Sequence, residues 1–513
     1  MTSREMRSRN GGMHLAKSTG MKIHRHLWSV TVATLAISAC GGMGTRESDP
    51  DAGTGVGGGV SSGGSVSSGG ATGTGGATHV VSTDPTKGAA GSAASSIGGA
   101  AGPLPPAPPM AIDGTFTGAI VDGTGTPTVT ATTSTTAVDA QPPIPTGQLT
   151  AGTWDDNLNF GFYSAYLSST ANEQLSGIPV IGRSDRMVIL VKSADAQPVA
   201  GAQVSVVDGQ GHDWSSITGA EGRVIYLPGW AGVAAGATVT VTATVANLSA
   251  STTAAAAAGT VELDFAQTAL PTVAALDLAF VIDTTGSMGD ELSYVQSELG
   301  DIVGGIAAQF PGIAQRWALV VYRDQGDDYV VRSFDFTADL PTFRSALAAQ
   351  ASAGGGDTPE AVDQALAAAT KLGWHDGATA RVAFWIADAP HHDGKQAAVV
   401  SALAAATTKA IHIYPVAASG IDDLGEFTMR TAAEVTGGRY LFLTNDSGIG
   451  GSHAEPHIPC YYVTTLESAM RRMVATEVMG VYSPPTSSDI LRTGGDPQNQ
   501  QCTLASGEPV TAW

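Results

Sequence analysis

Three oxygen-bearing side chains follow one strongly apolar segment at alternate positions. Asp283, Thr285 and Ser287 come directly after the apolar residues 276–282, and Gly286 lies between the last two. We interpret the apolar segment as a buried strand that delivers the three side chains to a tight turn, where glycine allows the backbone to fold closely. Oxygen atoms spaced in this way can converge on a single hard cation.

Two further acidic segments occur downstream, where the same cation would need ligands. Three glycines precede Asp357, Thr358 and Glu360 in residues 354–360, and Pro359 marks the first turn of a predicted helix. Asp388 follows directly after the apolar residues 381–387. We therefore expect both segments to approach the turn that begins at Asp283.

Strands and helices alternate from about residue 274 and predict the fold that positions these loops. The predicted strands cover residues 276–282, 317–322, 381–387, 411–416 and 440–443, with an extra edge strand at 329–336. This alternation predicts an α/β fold with a doubly wound, mostly parallel sheet that is covered on both faces. In such sheets, ligands bind beyond the carboxyl ends of the strands, at the point where the strand order reverses.

The segment 274–480 resembles a von Willebrand factor type A (vWA) domain with a metal-ion-dependent adhesion site. Asp283, Thr285 and Ser287 match the family pattern Asp-x-Ser/Thr-x-Ser, and Asp388 matches the aspartate of the family's third loop. The resemblance implies a Rossmann-like sheet, a bound Mg²⁺ and the reversible binding of a protein ligand, as in cell adhesion. It implies no enzymatic activity.

The second loop departs from the simplest family pattern, which has a threonine there. The sequence Asp-x-Pro-Glu is more similar to the acidic variant of integrin β-type domains, and it leaves Asp357, Thr358 and Glu360 open as ligands. Hydroxyls and one or two carboxylates leave residual positive charge on Mg²⁺, so an acidic residue of a partner can displace a bound water. Mn²⁺ would suit the same ligands, and Ca²⁺ would tolerate them less tightly.

Residues 150–270 show a different pattern, in which apolar and polar residues alternate over short segments. Val239, Val241 and Ala243, for example, alternate with threonines, which is typical of a half-buried strand. We predict a small β-sandwich here, similar to bacterial Ig-like and carboxypeptidase-regulatory-like modules, which implies a spacer or a binding surface. The tail at residues 481–513 is rich in Pro, Gln and Gly, and we predict that it is irregular.

The N-terminal part has the features of a signal peptide and a tether. Residues 21–40 have a basic start, a short apolar core and small residues before Cys40, and residues 37–41 resemble the bacterial lipobox. We therefore predict a signal peptide over residues 1–40 and lipidation of Cys40. Residues 41–149, rich in Gly, Ser, Thr and Pro, predict a disordered linker. We expect a protein of the bacterial envelope that contacts membrane through its lipid only, on the outer membrane or cell surface rather than the inner membrane.

The net charge limits the possible partners, and the cysteine content indicates one possible disulfide. The chain of 513 residues has 25 Lys and Arg against 46 Asp and Glu, a formal net charge of −21. An acidic protein repels phosphates, so we expect no nucleic acid partner. With Cys40 assigned to lipidation, Cys460 and Cys502 are the candidates for a disulfide in an oxidising compartment.

Two other functions are compatible with the same sequence. One is a non-catalytic recognition or chaperone subunit of an envelope enzyme complex. The other is a metallohydrolase that uses His391 and His392, or a joint site of His453, His457 and Cys460. The metal content separates them, because a zinc hydrolase would need stoichiometric Zn²⁺, whereas both binding functions need Mg²⁺.

Overall fold

The computed structural model of the protein describes residues 146–169, 172 and 174–513. The predicted signal peptide, Cys40 and nearly all of the predicted linker lie outside these residues. The first strand, β1, covers Thr150–Trp154, and the first helix, α1, covers Phe160–Leu167. Within the described ranges, no helix combines the length and the apolar character that crossing a bilayer requires.

Seven short strands form two small sheets that enclose one core. They are β2 (Met187–Lys192), β3 (Gln203–Asp208), β4 (Asp213–Ile217), β5 (Arg223–Tyr226), β6 (Thr238–Val245), β7 (Leu248–Ala255) and β8 (Gly259–Asp264). One sheet has the order β5-β2-β8 and the other β4-β3-β6-β7. In β6 the residues Val239, Val241 and Ala243 are buried between exposed or half-buried threonines, so one face of the strand contributes to the core.

The larger part of the chain alternates strands and helices. Its strands are β9 (Ala275–Asp283), β10 (Ala314–Tyr322), β11 (Val331–Thr337), β12 (Thr379–Ala387), β13 (Ile411–Ala417), β14 (Tyr440–Leu443) and β15 (Tyr461–Thr465). Its helices are α2 (Leu292–Gln309), α3 (Leu340–Ala348), α4 (Val362–Ala369), α5 (Gln396–Thr408), α6 (Asp423–Thr436) and α7 (Leu466–Met479). All of β12 and nearly all of β9 are buried, as expected for strands that helices cover on both faces.

The large sheet has nine strands in the order β11-β10-β9-β12-β13-β14-β1-β15, with β16 (Arg492–Gly494) at the far edge. Strands β10, β9, β12, β13 and β14 are parallel, and β11 pairs antiparallel with β10, which confirms the predicted edge strand. The chain passes from β9 to β10 on one side and returns to β12 on the other. The strand order therefore reverses beside β9, and the predicted doubly wound α/β fold is confirmed.

The prediction that residues 150–270 form one β module is wrong at its start. Strand β1 lies inside the nine-stranded sheet, antiparallel to both β14 and β15. All of its residues are buried, and Gly152 leaves no room for a Cβ because the ring of Phe442 packs against it. Just beyond the strand, Asp156 accepts hydrogen bonds of 2.7 and 2.9 Å from the buried Arg430 of α6. An uncharged strand with a partner on each side and a buried ion pair beside it belongs to the large sheet.

The prediction that residues 481–513 are irregular is also wrong in part. Strand β16 pairs with β15, and β17 (Gln501–Thr503) pairs antiparallel with β18 (Pro509–Thr511). The structure joins Cys460 to Cys502 in a disulfide with a Cα–Cα distance of 6.3 Å. The cross-link and the contact of Val510 with the cluster around Trp154 order a segment whose composition alone does not predict strands.

Candidate metal centre

The first loop is folded by its own aspartate. Asp283 is the last residue of β9, and its Oδ1 accepts hydrogen bonds from the backbone N–H of Thr285 at 2.9 Å and from the Thr285 hydroxyl at 2.7 Å. A hydrogen bond of 3.1 Å then joins the hydroxyls of Thr285 and Ser287. The second carboxylate oxygen, Asp283 Oδ2, is buried without any partner. The three side chains therefore share one small site, with one carboxylate oxygen free for a further ligand.

The third loop brings a second carboxylate to the same place. Asp388 directly follows β12 and is buried, and the Ser287 side chain lies close enough to lower the pKa of its carboxyl group. Its Oδ1 is buried without a partner, like Asp283 Oδ2. Because β9 and β12 are adjacent and parallel, their carboxyl ends meet, and the two aspartates come together as the sequence predicts.

The second loop contributes Glu360 rather than its neighbours. The Glu360 side chain is buried, and a Cβ on Gly355 would lie 3.0 Å from its Oε1 and 3.3 Å from Thr285 Cβ, so glutamate and threonine flank the same glycine. Glu360 Oε2 has no hydrogen-bond partner. Asp357 and Thr358, the other two candidates, are exposed. The structure thus brings Glu360 to the first loop and leaves Asp357 and Thr358 at the surface.

Burial makes these three carboxyl groups reluctant to ionise. It raises the pKa of Asp283 to about 7, with a further contribution from the charge of Asp388. It raises the pKa of Asp388 to about 6, against the opposing effect of the Ser287 side chain. It raises the pKa of Glu360 to about 9, with the charges of Asp283 and other aspartates adding to the effect. A divalent cation among these groups would favour their ionised forms.

A set of residues that sequence reasoning missed holds the loops together. Arg323, which follows β10, donates from Nε to the backbone carbonyl of Thr284 at 3.1 Å and from a terminal nitrogen to that of Ala351 at 2.8 Å. The backbone N–H of Gly286 donates to the carbonyl of Gly354 at 3.1 Å. The sequence shows only that an arginine follows a strand and precedes Asp324. It does not show which backbone carbonyls this arginine contacts. These bonds fix the first loop against the second.

The histidines proposed for a joint transition-metal site are engaged separately. His453 Nε2 lies 2.9 Å from Glu291 Oε1, and both side chains are buried. His457 Nδ1 lies 2.9 Å from Glu426 Oε2. Cys460 is in the disulfide. Each of these three residues therefore has its own partner, and the structure does not bring them to one site.

His391 and His392 point to different partners. His391 is buried, and its Nε2 lies 3.0 Å from the backbone carbonyl of Gly177, whereas His392 Nε2 lies 2.5 Å from Asp324 Oδ1. Burial lowers the pKa of His391, which favours a neutral imidazole. The pair does not form the two-histidine ligand set of a zinc hydrolase.

The donor set fits a hard divalent cation. Two aspartates, one glutamate and two hydroxyls offer only oxygen, which is the ligand type that Mg²⁺ prefers. Three buried carboxylate oxygens without partners, one each on Asp283, Glu360 and Asp388, are costly to desolvate unless a cation or protons compensate them. Asp283, Thr285, Ser287, Glu360 and Asp388 are therefore the residues that would hold the ion.

The comparison with known families identifies the domain. Residues 277–436 match the family model described as von Willebrand factor A domain. The matched segment contains all three loops of the site. The chain therefore carries a vWA domain, a class of domain that often binds a divalent metal and generally acts as a non-catalytic interaction module.

Three known proteins are each similar to part of this chain. An ariadne-like RING finger protein of Acanthamoeba polyphaga mimivirus is 34% identical over 119 residues, which are 23% of this chain and 11% of that protein, so the chain spans about a tenth of its length. The conserved hypothetical protein BatB from Bacteroides thetaiotaomicron is 14% identical, with coverage of 39% of this chain and 98% of that chain and a TM-score of 0.27. A von Willebrand factor type A structure from Catenulispora acidiphila is 14% identical, with coverage of 60% and 51% and a TM-score of 0.29.

The raised pKa values predict how stability depends on pH. These carboxyl groups bind protons more tightly in the folded than in the unfolded state. Protein from which EDTA has removed the metal should therefore lose stability as the pH rises. The loss should begin at about 4, the pKa of carboxyl groups in the unfolded chain, and continue to about 9, the pKa of Glu360 in the folded protein. Mg²⁺ replaces the protons, so the increase in melting temperature that Mg²⁺ causes should grow across this range. Thermal unfolding with EDTA or Mg²⁺ at several pH values measures it.

The matched variant is Glu360→Gln, whose side chain is neutral at every pH. Its melting temperature in EDTA should decline less steeply with pH than that of the wild type. A Mg²⁺ effect that is the same at every pH in the wild type would contradict the assignment of these carboxylates to the ion.

Proposed function

We propose that the vWA domain binds a protein ligand through a divalent cation, Mg²⁺ in the first place, held by Asp283, Thr285, Ser287, Glu360 and Asp388. The observation that carries the proposal is the convergence of three buried carboxylate oxygens without partners and two hydroxyls at the carboxyl edge of the sheet. Mn²⁺ and Ca²⁺ accept the same donor types.

The composition of the site supports binding of an acidic partner. An octahedral Mg²⁺ with these five side chains as ligands keeps one position for water, and a carboxylate from another protein can replace that water. The loops beside the buried ligands are open to solvent, since Asp357 and Thr358 are exposed. A partner can therefore approach the ion without any rearrangement of the sheet. Ligand binding should then require the metal and be reversed by a chelator.

The N-terminal sequence supports attachment of this domain to the cell envelope. Cys40 is the lipidated residue, and residues 41–149 tether the folded part to the membrane on the outer membrane or cell surface. On this proposal the lipid keeps the metal site at the membrane, where protein ligands of the envelope can reach it.

Asp283→Ala tests the binding function. Loss of this carboxylate should weaken Mg²⁺ binding, measured by isothermal titration calorimetry, by at least about tenfold, and should abolish Mg²⁺-dependent capture of envelope proteins. The matched control is Asp301→Ala, because Asp301 is exposed on α2. Circular dichroism establishes that both variants are folded. Capture by the wild type that persists in EDTA, or that survives Asp283→Ala, would refute the proposal.

Cys40→Ala tests the anchor. Without the thiol that carries the lipid, the protein should leave the membrane fraction and should no longer incorporate radiolabelled palmitate. Ser38→Ala, two residues away, is the control and should behave like the wild type. Retention of Cys40→Ala in the membrane fraction would show that something other than this lipid holds the protein.

A further inference from the structure

A second group of potential metal ligands lies outside the donor set described above. Asp324, Asp357 and His392 each offer one ligand atom, and these three atoms lie within 4.8 Å of one another. They come from three different loops, which follow β10, α3 and β12. Asp324 is mostly buried, His392 is about one quarter exposed, and Asp357 is exposed. A cation held there would be accessible from solvent.

The fold places this group beside the first site without sharing its proposed ligands. Asp324 lies two residues beyond Tyr322, which is the register partner of Asp283 in the paired strands β10 and β9. Asp357 precedes Glu360 by three residues, and His392 follows Asp388 by four. The three loops that approach Asp283 thus also supply the second group, with a different residue from each.

The carboxyl group of Glu360, which belongs to the Mg²⁺ site, is also affected by the charges of this second group. Its side chain is only 2% exposed, and its Oε2 has no hydrogen-bond partner. The charges of Asp324 and Asp327 act on this carboxyl group as well as those of Asp283 and Asp388. Asp324 and Asp357 are two carboxylates that the proposed Mg²⁺ site does not use, and their negative charge would attract a second cation.

The contact between His392 and Asp324 also permits a simpler interpretation. His392 Nε2 and Asp324 Oδ1 lie 2.5 Å apart, and this contact by itself would hold one loop against another. That interpretation gives no role to Asp357, whose exposed carboxylate increases the negative charge beside Asp324. A cation at this place would be contacted by all three residues.

The imidazole decides the class of metal. Mg²⁺ and Ca²⁺ prefer oxygen ligands, whereas imidazole favours first-row transition metals and Zn²⁺. Three protein ligands with further positions open to water are typical of an accessible zinc-type site. We propose that Asp324, Asp357 and His392 bind a divalent transition-metal cation, such as Zn²⁺, at a site distinct from the Mg²⁺ site. This inference does not rest on the proposed ligand-binding function.

The test is titration of the metal-free, full-length protein with Co²⁺, whose visible absorption reports nitrogen and oxygen ligation, followed by competition with Zn²⁺. His392→Gln and Asp357→Asn should each weaken Co²⁺ binding by at least about tenfold, while both variants keep their Mg²⁺ binding. Because Asp357 is exposed, its substitution tests the site even where His392→Gln fails to fold.

Two controls separate this site from its surroundings. His375→Gln removes another histidine that is paired with an aspartate, here Asp277, near the opposite end of β9. It should leave Co²⁺ binding unchanged. Asp283→Ala should lose Mg²⁺ but keep Co²⁺. The proposal is overturned if His392→Gln and Asp357→Asn bind Co²⁺ like the wild type, or if Asp283→Ala abolishes Co²⁺ binding while these two variants retain it.

Discussion

The burial of three carboxylates at one edge of the sheet is the constraint on which the site depends. Asp283, Glu360 and Asp388 each leave an oxygen without a partner in a place that solvent barely reaches. Such groups destabilise a fold unless protons or a cation neutralise them, and their raised pKa values express that cost. A protein that retains this arrangement gains from it only when an ion is bound. Binding of a metal therefore explains a geometry that packing alone would disfavour.

The architecture serves to bring these groups together and to keep them there. Parallel pairing of β9 with β12 joins two of the three loops, and Arg323 together with the Gly286–Gly354 contact fixes the remaining one. Burial of the central strands leaves little freedom for their ends to move. The small β module and the inserted strand β1 lie elsewhere in the same described region. Differences in ligand preference between such domains can therefore arise in the loops without a change in the sheet.

Much of the fold and of the metal site could be predicted from the periodicity of the sequence, but some strands and one ligand could not. Long apolar runs that end in Asp283 and Asp388 identify both a buried strand and the residue at its carboxyl end, so those positions followed from the sequence. The choice of Glu360 over Asp357 did not follow from the sequence, because a turn of three residues can direct either side chain inward. In the structure, Glu360 is the one that lies beside Gly355 and Thr285. Strand β1 was missed because five residues carry too little pattern, and its position depends on β14 and β15, which are distant in sequence. The tail depends similarly on the Cys460–Cys502 cross-link.

The most direct test of the central claim is the number of protons released when Mg²⁺ binds. Isothermal titration of the metal-free protein near neutral pH, in two buffers with different ionisation enthalpies, gives this number. Because the pKa of Glu360 lies at about 9 before the ion binds, Mg²⁺ binding should release on the order of one proton. In Glu360→Gln the release should be smaller, because Asp283, with a pKa of about 7, is then the main group that still holds part of a proton. Mg²⁺ binding without proton release in the wild type, or no Mg²⁺ binding at all, would contradict the account.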